Sequence, residues 1–137
     1  MDGYKLVVDV PVRFSDTDAL GHVNNAHYLS FLESARLGYI KDVLGRVKTE
    51  DFGVIIARVE IDYKSPAFHF ETMRVGCRVY ELGGSSIKMD YCIEDKASGR
   101  LVAQAKSVLV AFDYASNRPV RLRDEWRTKM EAFDALS

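Results

Sequence analysis

DTDALGHVNNAHYLSFLESAR, residues 16–36, joins a turn-forming segment to the longest helical pattern in the chain. Its first half collects Asp, Gly and Asn, which favour turns and helix N-caps because their short polar side chains bond to nearby backbone. From there apolar residues recur three and four positions apart, as on one helical face. With Asn24 or Asn25 as N-cap and Gly45 at the end, this predicts a helix of about 20 residues, or about 30 Å. Its apolar face is broad enough to be wrapped by other structure.

Five strands are predicted around this helix. The Val-rich segment from Tyr4 to Phe14 precedes it, and Pro11 there favours an edge or bulged strand. Four more follow where apolar and polar residues alternate, over residues 55–64, 73–79, 87–94 and 101–112. In the first of these four, one face is predicted to carry Ile55, Ala57, Val59, Ile61 and Tyr63.

Two shorter segments complete the predicted fold. Arg118 and Pro119 close the sheet after the last long strand, and apolar residues at spacings of four and three then predict a short surface helix from Leu122 to Phe133. A strand, a long helix and four consecutive strands make an α+β layout, with an antiparallel sheet curled around one helix.

The register of the hairpin through the two adjacent glycines follows from the residue pattern. A two-residue loop would place Cys77 opposite Asp90, an apolar face beside a charged one, whereas a loop one residue longer pairs Val79 with Met89. We therefore predict the odd-numbered loop. In that register Cys77 and Cys92 lie on opposite faces of the sheet, which predicts two free thiols.

Length and composition limit the class of protein. The 137 residues, 47% of them apolar, predict one domain over residues 1–137. The 19 basic and 20 acidic residues nearly cancel, which argues against nucleic acid as a partner. No apolar run approaches a membrane span, the first ten residues lack a signal-peptide core, and two cysteines do not make a disulfide scaffold. A cytoplasmic protein without a membrane partner is expected.

The opening stretch resembles the loop-and-helix motif of the hotdog-fold thioesterases related to 4-hydroxybenzoyl-CoA thioesterase. FGVIIARVEIDYKSPA (residues 52–67), GGSSI (residues 83–87) and RPVRLRDEW (residues 118–126) extend the resemblance over nearly the whole chain. The resemblance implies the hotdog fold, a five-stranded antiparallel sheet wrapped around one long helix, with a short C-terminal helix. It also implies hydrolysis of an acyl- or aroyl-CoA thioester without a cofactor.

Asp16 and Asp18 lie between a strand and a helix N-terminus, where the helix dipole stabilises a charged carboxylate. Aspartates in an isolated DxD pattern more often have a structural role in a turn or cap. Thioester hydrolysis needs a carboxylate that attacks the carbonyl carbon or takes a proton from water, and donors for the oxyanion. By the resemblance, Asp18 matches the family's catalytic carboxylate and Asp16 a position that holds the loop.

Gly53, His22, Asn24 and Asn25 complete the candidate site. Glycine lets a backbone N–H approach a ligand closely, and the resemblance places a carbonyl-polarising amide at about Gly53. Asn24 or Asn25 caps the helix, and the other is free to contact substrate or orient water. Many acyl-CoA thioesterases of this family carry His where Asn25 stands, which leaves proton transfer to His22 or to Asp18 alone.

Glu33 on the long helix is a rival nucleophile, because a helix glutamate is catalytic in another hotdog branch. We favour an ion pair between Glu33 and Arg36, three residues apart. The predicted substrate contacts are Asn24, Tyr28, Glu33, Tyr63, Lys64 and Phe68. The depth of the pocket depends on the packing of Tyr28, Tyr63 and Phe68 with Leu32. The candidate cations for phosphate groups are Lys64, His69, Arg74, Arg78 and Lys88. The ELGGSSIK hairpin has lost most of the basic residues that the best-known relative carries there toward the nucleotide, which leaves coenzyme A and acyl carrier protein open as carriers.

The resemblance also implies a homodimer or homotetramer, because in this family a single sheet leaves an exposed edge and half a pocket. Asp16, Asp18, His22 and His27 match no standard metal-ligand spacing, so no metal is expected.

A non-catalytic acyl-thioester-binding module is the main alternative function and would tolerate loss of Asp18. A hotdog dehydratase or hydratase would need a His and carboxylate pair that the sequence does not show.

Overall fold

A curled antiparallel sheet and one long helix form most of the computed structural model, which describes residues 1–45 and 53–136. The long strands are β1 (Leu6–Pro11), β2 (Val54–Tyr63), β3 (Thr72–Leu82), β4 (Ser86–Asp95) and β5 (Leu101–Asp113). A two-residue β6 (Arg118–Pro119) pairs with β5, and the helices are α1 (Tyr28–Tyr39) and α2 (Asp124–Phe133). The predicted hotdog architecture is confirmed. No helix in the described ranges is long and apolar enough to cross a membrane.

The long helix runs through three kinds of helical turn. A 3₁₀ turn over Asn25–His27 leads into α1, and a π-helical turn over Ile40–Leu44 follows it. The Asn24 side chain caps the start by accepting a hydrogen bond from the Ala26 N–H at 3.0 Å. The predicted length is therefore confirmed, and of the two candidate caps Asn24 is the one used.

The core lies between α1 and the concave face of the sheet. Phe31, Leu32, Ala35 and Tyr39 project from α1 and are buried. They face the buried positions of β3, β4 and β5, which include Val75, Cys77, Val79, Met89, Tyr91, Ile93, Ala103, Ala105 and Leu109. The broad apolar face of the helix is thus covered as its pattern predicts.

The strand order is β1-β3-β4-β5-β2, so β1 and β2 form the two edges. The predicted edge position of the first strand is confirmed. The strand β2 does not pair with β3, its successor in sequence, but crosses to the far side and pairs with β5. This order is not encoded in the alternation of any single strand, because alternation reports faces and not neighbours.

A β-bulge interrupts β2 at Ala57. Ile56 lies opposite Leu109 and Arg58 opposite Val108, which leaves Ala57 as the extra residue. From Val59 onward the predicted inward face is correct. Before the bulge, the alternation of the side chains between the two faces of the sheet is shifted by one residue. The predicted position of Ile55 is therefore wrong, because Ile56 and not Ile55 lies on the face toward the core. Ile56 is 50% exposed in spite of that position, because β2 has no neighbour on its outer side.

The β3–β4 hairpin has the predicted register but a different turn. Val79 lies opposite Met89 as predicted. The odd-numbered loop is wrong, since Leu82 lies opposite Ile87 with four residues between them, and a bulge at Tyr80 supplies the missing residue. Cys77 on the inner face is buried, Cys92 on the outer face is half-buried, and both are free thiols.

The predicted C-terminal helix is confirmed as α2, and its apolar residues close the open end of the core. Trp126 and Met130 are buried there. The Asp134 carboxylate then accepts hydrogen bonds from the Tyr39 hydroxyl at 2.6 Å and from the Val79 N–H at 2.9 Å. The end of the chain is thereby joined to both the long helix and the sheet.

Arg36 projects into the core and not toward Glu33. It is 8% exposed, and its Nη1 donates to the Tyr91 hydroxyl at 3.3 Å. That hydroxyl also lies 2.6 Å from the Ser107 Oγ. The favoured Glu33–Arg36 ion pair is absent from the described structure, because Arg36 lies one helical turn after Leu32 and shares its buried face while Glu33 is exposed.

We predict that Tyr91→Phe destabilises the protein by about 1 to 2 kcal/mol. The change removes an acceptor from a buried guanidinium and leaves its donor unsatisfied. Urea unfolding monitored by fluorescence measures the difference. Tyr63→Phe is the matched control, since its hydroxyl bonds at the surface, and equal effects of the two changes would contradict the role of Tyr91.

Candidate active site

Asp16 is a buried carboxylate that holds the loop after β1. It is 1% exposed, and it accepts hydrogen bonds from the Arg13 N–H at 2.8 Å and from Arg13 Nη2 at 2.9 Å. His27 Nδ1 lies 3.1 Å from the same carboxylate. Burial raises the pKa of Asp16, but the bonds from Arg13 and His27 outweigh it and hold the pKa below its usual value. One carboxylate thereby joins the end of β1 to the start of the helix.

Asp18 lies on a small turn that this cluster supports. Thr17 pairs with Val23, and the Asp18 N–H donates to the His22 carbonyl at 2.9 Å. The turn closes with the Gly21 N–H donating to the Asp18 carbonyl at 3.0 Å, and Gly21 has a φ of 81°, which favours glycine. The Asp18 side chain is therefore presented outward from a backbone that is well fixed.

The two aspartates differ in how much of their bonding capacity is used. Asp18 is exposed, and its Oδ1 accepts one hydrogen bond, from the Leu20 N–H at 2.9 Å. No other hydrogen bond reaches this carboxylate from the described residues. Asp16 is fully occupied by its partners. Of the two, Asp18 alone has an oxygen free to meet a substrate or a water molecule.

The neighbouring polar residues have mixed roles. The His22 ring packs edge-on against the Phe68 ring, with centroids 5.1 Å apart, and within the described ranges it makes no hydrogen bond to Asp18. The Asn24 side chain is used as the helix cap. Asn25 is exposed, and its carbonyl accepts a hydrogen bond from the Tyr63 hydroxyl at 3.1 Å.

Four predicted substrate contacts lie beside this turn. The Tyr28 hydroxyl is buried and accepts a hydrogen bond from the Ala67 N–H at 3.2 Å, while its ring meets Tyr63 edge-on with centroids 5.2 Å apart. Tyr63 and Phe68 are both partly exposed, and Lys64 is exposed directly after β2. The structure thus gathers these residues with Asp18 at one end of the molecule.

Gly53 lies at the opposite end of β2 from this cluster. Its carbonyl accepts a hydrogen bond from the Phe112 N–H at 3.0 Å, and a Cβ there would collide with the Phe112 carbonyl, so close packing alone already requires glycine. Gly53 directly precedes β2, and Tyr63 is the tenth and last residue of that strand. At about 3.3 Å per residue the two ends are about 30 Å apart. Asp18 and Gly53 therefore do not meet within one chain.

The predicted phosphate-binding cations are dispersed. Arg78 pairs with Asp90 at 2.9 Å on the outer face of the sheet, beside a polar cavity of about 340 Å³. Lys88 pairs with Glu81 at 2.6 Å. Of the predicted cations, Lys64 and His69 lie near the cluster around Asp18, and the His69 ring stacks on Phe70. Within the described ranges no group of three or more His, Cys, Asp or Glu residues could hold a metal ion.

Arg13 and His27 are functional neighbours that the sequence prediction missed. Both act through Asp16 by fixing the loop. The available signal was the spacing of Arg13, three residues before Asp16, which suits a bond across one tight turn. Nothing in the sequence indicates that His27, on the far side of the loop, turns back to the same carboxylate.

The sheet curled around one long helix and the family that the sequence matches define the class of protein as a hotdog thioesterase. Residues 12–130 match the family described as the thioesterase-like superfamily, and the chain belongs to that family. It is therefore a thioester hydrolase. The predicted motif FGVIIARVEIDYKSPA begins at Phe52, which lies outside the described residues.

Individual relatives support this assignment. The chain is 28% identical over 124 residues to the long-chain acyl-CoA thioesterase FadM of Escherichia coli K12, covering 89% of this chain and 94% of FadM. A thioesterase of Thermus thermophilus, solved in complex with coenzyme A and Zn, is 35% identical, with a TM-score of 0.88 and 98% of each chain covered. The PA5185 protein of Pseudomonas aeruginosa PAO1 is 27% identical, with a TM-score of 0.85 and 96% and 92% of the two chains covered.

We predict that Asp16→Asn destabilises the protein by about 1 to 3 kcal/mol at pH 7, because a buried hydrogen-bonded carboxylate is lost. The lowered pKa of Asp16 contributes stability above the unfolded value of about 3.9, and this contribution is lost as the pH falls through the folded value. Urea unfolding at pH 7 and at pH 3 should therefore show the gap between natural protein and variant shrinking in acid.

The control for this experiment is Asp9→Asn, which removes an exposed carboxylate paired with Lys96. An exposed pair contributes about 0 to 1 kcal/mol, so this variant should remain close to the natural protein. A gap for Asp16→Asn that does not change with pH would contradict the assignment.

Proposed function

We propose that this protein hydrolyses acyl-CoA thioesters, with Asp18 as nucleophile or general base, as a single domain over residues 1–137. The observation that carries the proposal is the contrast between two aspartates on one loop. Asp16 is buried and saturated with hydrogen bonds, whereas Asp18 is exposed with bonding capacity to spare. Coenzyme A is favoured as carrier because one relative is named for long-chain acyl-CoA and another was solved with coenzyme A.

Two routes are chemically open to Asp18. As nucleophile, its carboxylate attacks the thioester carbonyl carbon, the C–S bond breaks and the thiolate leaves, and water then hydrolyses the resulting anhydride. As general base, it takes a proton from a water molecule that attacks the carbonyl, and the thiolate takes up a proton as it leaves. We assign the proton transfer to Asp18 and not to His22, because the His22 ring packs against Phe68.

Both routes need N–H donors at the developing oxyanion. The predicted donor, Gly53, is about 30 Å from the Asp18 end of its own β2. We propose that a second copy supplies it. If two β2 edges pair antiparallel about a two-fold axis, the start of one strand lies beside the end of the other, and Gly53 of the partner subunit approaches the cluster around Asp18.

The exposed edge supports this dimer. The strand β2 has no neighbour on its outer side, and Ile56 and Tyr63 on its inward face are 50% and 47% exposed. An open edge with exposed apolar side chains favours pairing with another strand. We propose a homodimer as the catalytic unit, alone or as half of a homotetramer. A cytoplasmic location fits the two free thiols of Cys77 and Cys92.

We predict that Asp18→Asn lowers hydrolysis of acyl-CoA by at least about 100-fold, because the amide can neither attack nor accept the proton. Release of free thiol from short-chain, long-chain and aromatic acyl-CoAs measures the rate. The Asp18 side chain is exposed, so the thermal midpoint should stay unchanged. Asp124→Asn, an exposed aspartate on α2, is the matched control.

Two results would change the assignment of Asp18. Full activity in Asp18→Asn would transfer the role to another carboxylate, of which Glu33 is the leading alternative. Binding of thioesters without hydrolysis by the natural protein would favour an acyl-thioester-binding module, or a thioesterase that acts on acyl carrier protein.

We predict that Ile56→Asp weakens the dimer and lowers activity in parallel, since it places a charge in the proposed contact. Light scattering and thiol release over a concentration series measure both quantities. Val120→Asp, at an exposed position outside β2, should change neither. A fully active monomer would contradict a site shared between subunits.

A further inference from the structure

The loop between β2 and β3 carries an aromatic residue in a strained backbone conformation. Phe70 has a φ of 73°, in the left-handed region that favours glycine. Its side chain is 91% exposed, so burial in the core does not offset the strain. Strained residues of this kind cluster at ligand-binding sites.

The strain has a direct structural consequence. Side chains of consecutive residues in an extended chain point to opposite sides, but the left-handed conformation brings Phe70 onto the side of His69. The two rings stack with centroids 3.8 Å apart and an angle of 28° between their planes. Phe14 supports the pair edge-on, with its centroid 5.5 Å from that of His69. These three residues, Phe14, His69 and Phe70, form an aromatic platform with exposed ring surface.

The aromatic platform borders the turn that carries Asp18. Phe14 belongs to the segment just before that turn, and its carbonyl accepts a hydrogen bond from the Thr17 N–H at 3.1 Å. On the other side, His22 pairs by its backbone with Phe68, two residues before Phe70. The platform is thus beside the candidate active site and separate from its carboxylate.

Two arginines lie on or against the chain segments that carry the platform. Arg13 precedes Phe14, is held at 2.9 Å by Asp16, and keeps 70% of its side chain exposed. Arg100 lies 6.0 Å from the centre of the Phe68 ring and is held at 3.0 Å by Glu71. Arg13 is fixed by a carboxylate and still largely exposed, which suits it to donate N–H bonds to phosphate oxygens. The Nε and Nη2 of Arg100 already donate to Ser65, Pro66 and Glu71.

We propose that the aromatic platform stacks the purine base of coenzyme A. This inference rests on the proposed function, because it takes coenzyme A as the carrier. An exposed aromatic face binds a flat ring by stacking, whereas an aliphatic chain is bound in an enclosed groove. The ribose, the diphosphate and the pantetheine arm separate the base from the thioester, so the base binds away from the reacting carbon, and the platform is separate from the Asp18 carboxylate.

The test is Phe70→Gly, which removes the ring and relieves the strain together. We expect the thermal midpoint to rise by about 2 °C. The KM for an aliphatic acyl-CoA should rise about tenfold, which is the lower range for loss of one stacked base. The KM for the same acyl group on pantetheine, which lacks the nucleotide, should stay unchanged.

Two control variants separate stacking from strain. Phe70→Trp keeps an aromatic face and should retain the KM for acyl-CoA within about twofold. Ala135→Gly relieves a left-handed residue elsewhere, at a φ of 53°, and should leave every KM unchanged. An equal rise in KM for the acyl-CoA and the acyl-pantetheine in Phe70→Gly would overturn the proposal.

Binding measured by calorimetry tests the platform without catalysis, with coenzyme A and pantetheine as probes. The Kd of coenzyme A should rise about tenfold in Phe70→Gly, and that of pantetheine should not change. If the protein hydrolyses no thioester but Phe70→Gly still raises the Kd of coenzyme A and not that of pantetheine, the proposed function is wrong and the proposed binding of the base is supported. If thioesters are hydrolysed but Phe70→Gly leaves the Kd of coenzyme A unchanged, the proposed role of the platform is wrong. It is also wrong if Phe70→Gly lowers the mass of the oligomer, or if the variant changes the KM only for substrates with an aromatic acyl group.

Discussion

Burial of the long helix is the constraint on which the rest of the structure depends. A helix with so broad an apolar face must be covered over most of its length, and a curled sheet of long strands does this on one side. The covering ends where the sheet ends, so the loop before Asn24 lies at the rim of the core. That loop is close enough to the helix to be fixed by it and open enough to meet solvent.

The two loop aspartates show how one short motif serves two physical purposes. A buried carboxylate is tolerated only when hydrogen bonds replace its water, and Asp16 obtains them from Arg13 and His27. The backbone that these bonds hold in place then presents Asp18 outward. Rigidity is supplied by the aspartate whose oxygens are occupied by hydrogen bonds, and the proposed chemistry is assigned to the one whose oxygens stay accessible.

Periodicity predicted the elements well because it reports which face of a strand or helix is buried. It placed the long helix, the inward residues of β2 from Val59 onward and the pairing of Val79 with Met89. It failed where a bulge inserts a residue, at Ala57 and Tyr80, since a bulge shifts the alternation without altering composition. Spacing also misassigned Arg36, because its long side chain bonds to Tyr91 across the core and the i,i+3 rule considers only one helix.

The candidate site could be predicted only as far as its residues are local. Asp18, His22 and Asn24 lie on one loop, so the motif locates them together. The distance between Gly53 and Asp18 depends on the crossing of β2 to the far edge, which no local pattern encodes. The edge of β2 is unpaired and Phe70 has a left-handed backbone conformation, and both features lower the stability of the fold. Both features border the cluster around Asp18, where we propose that a second subunit and a substrate bind.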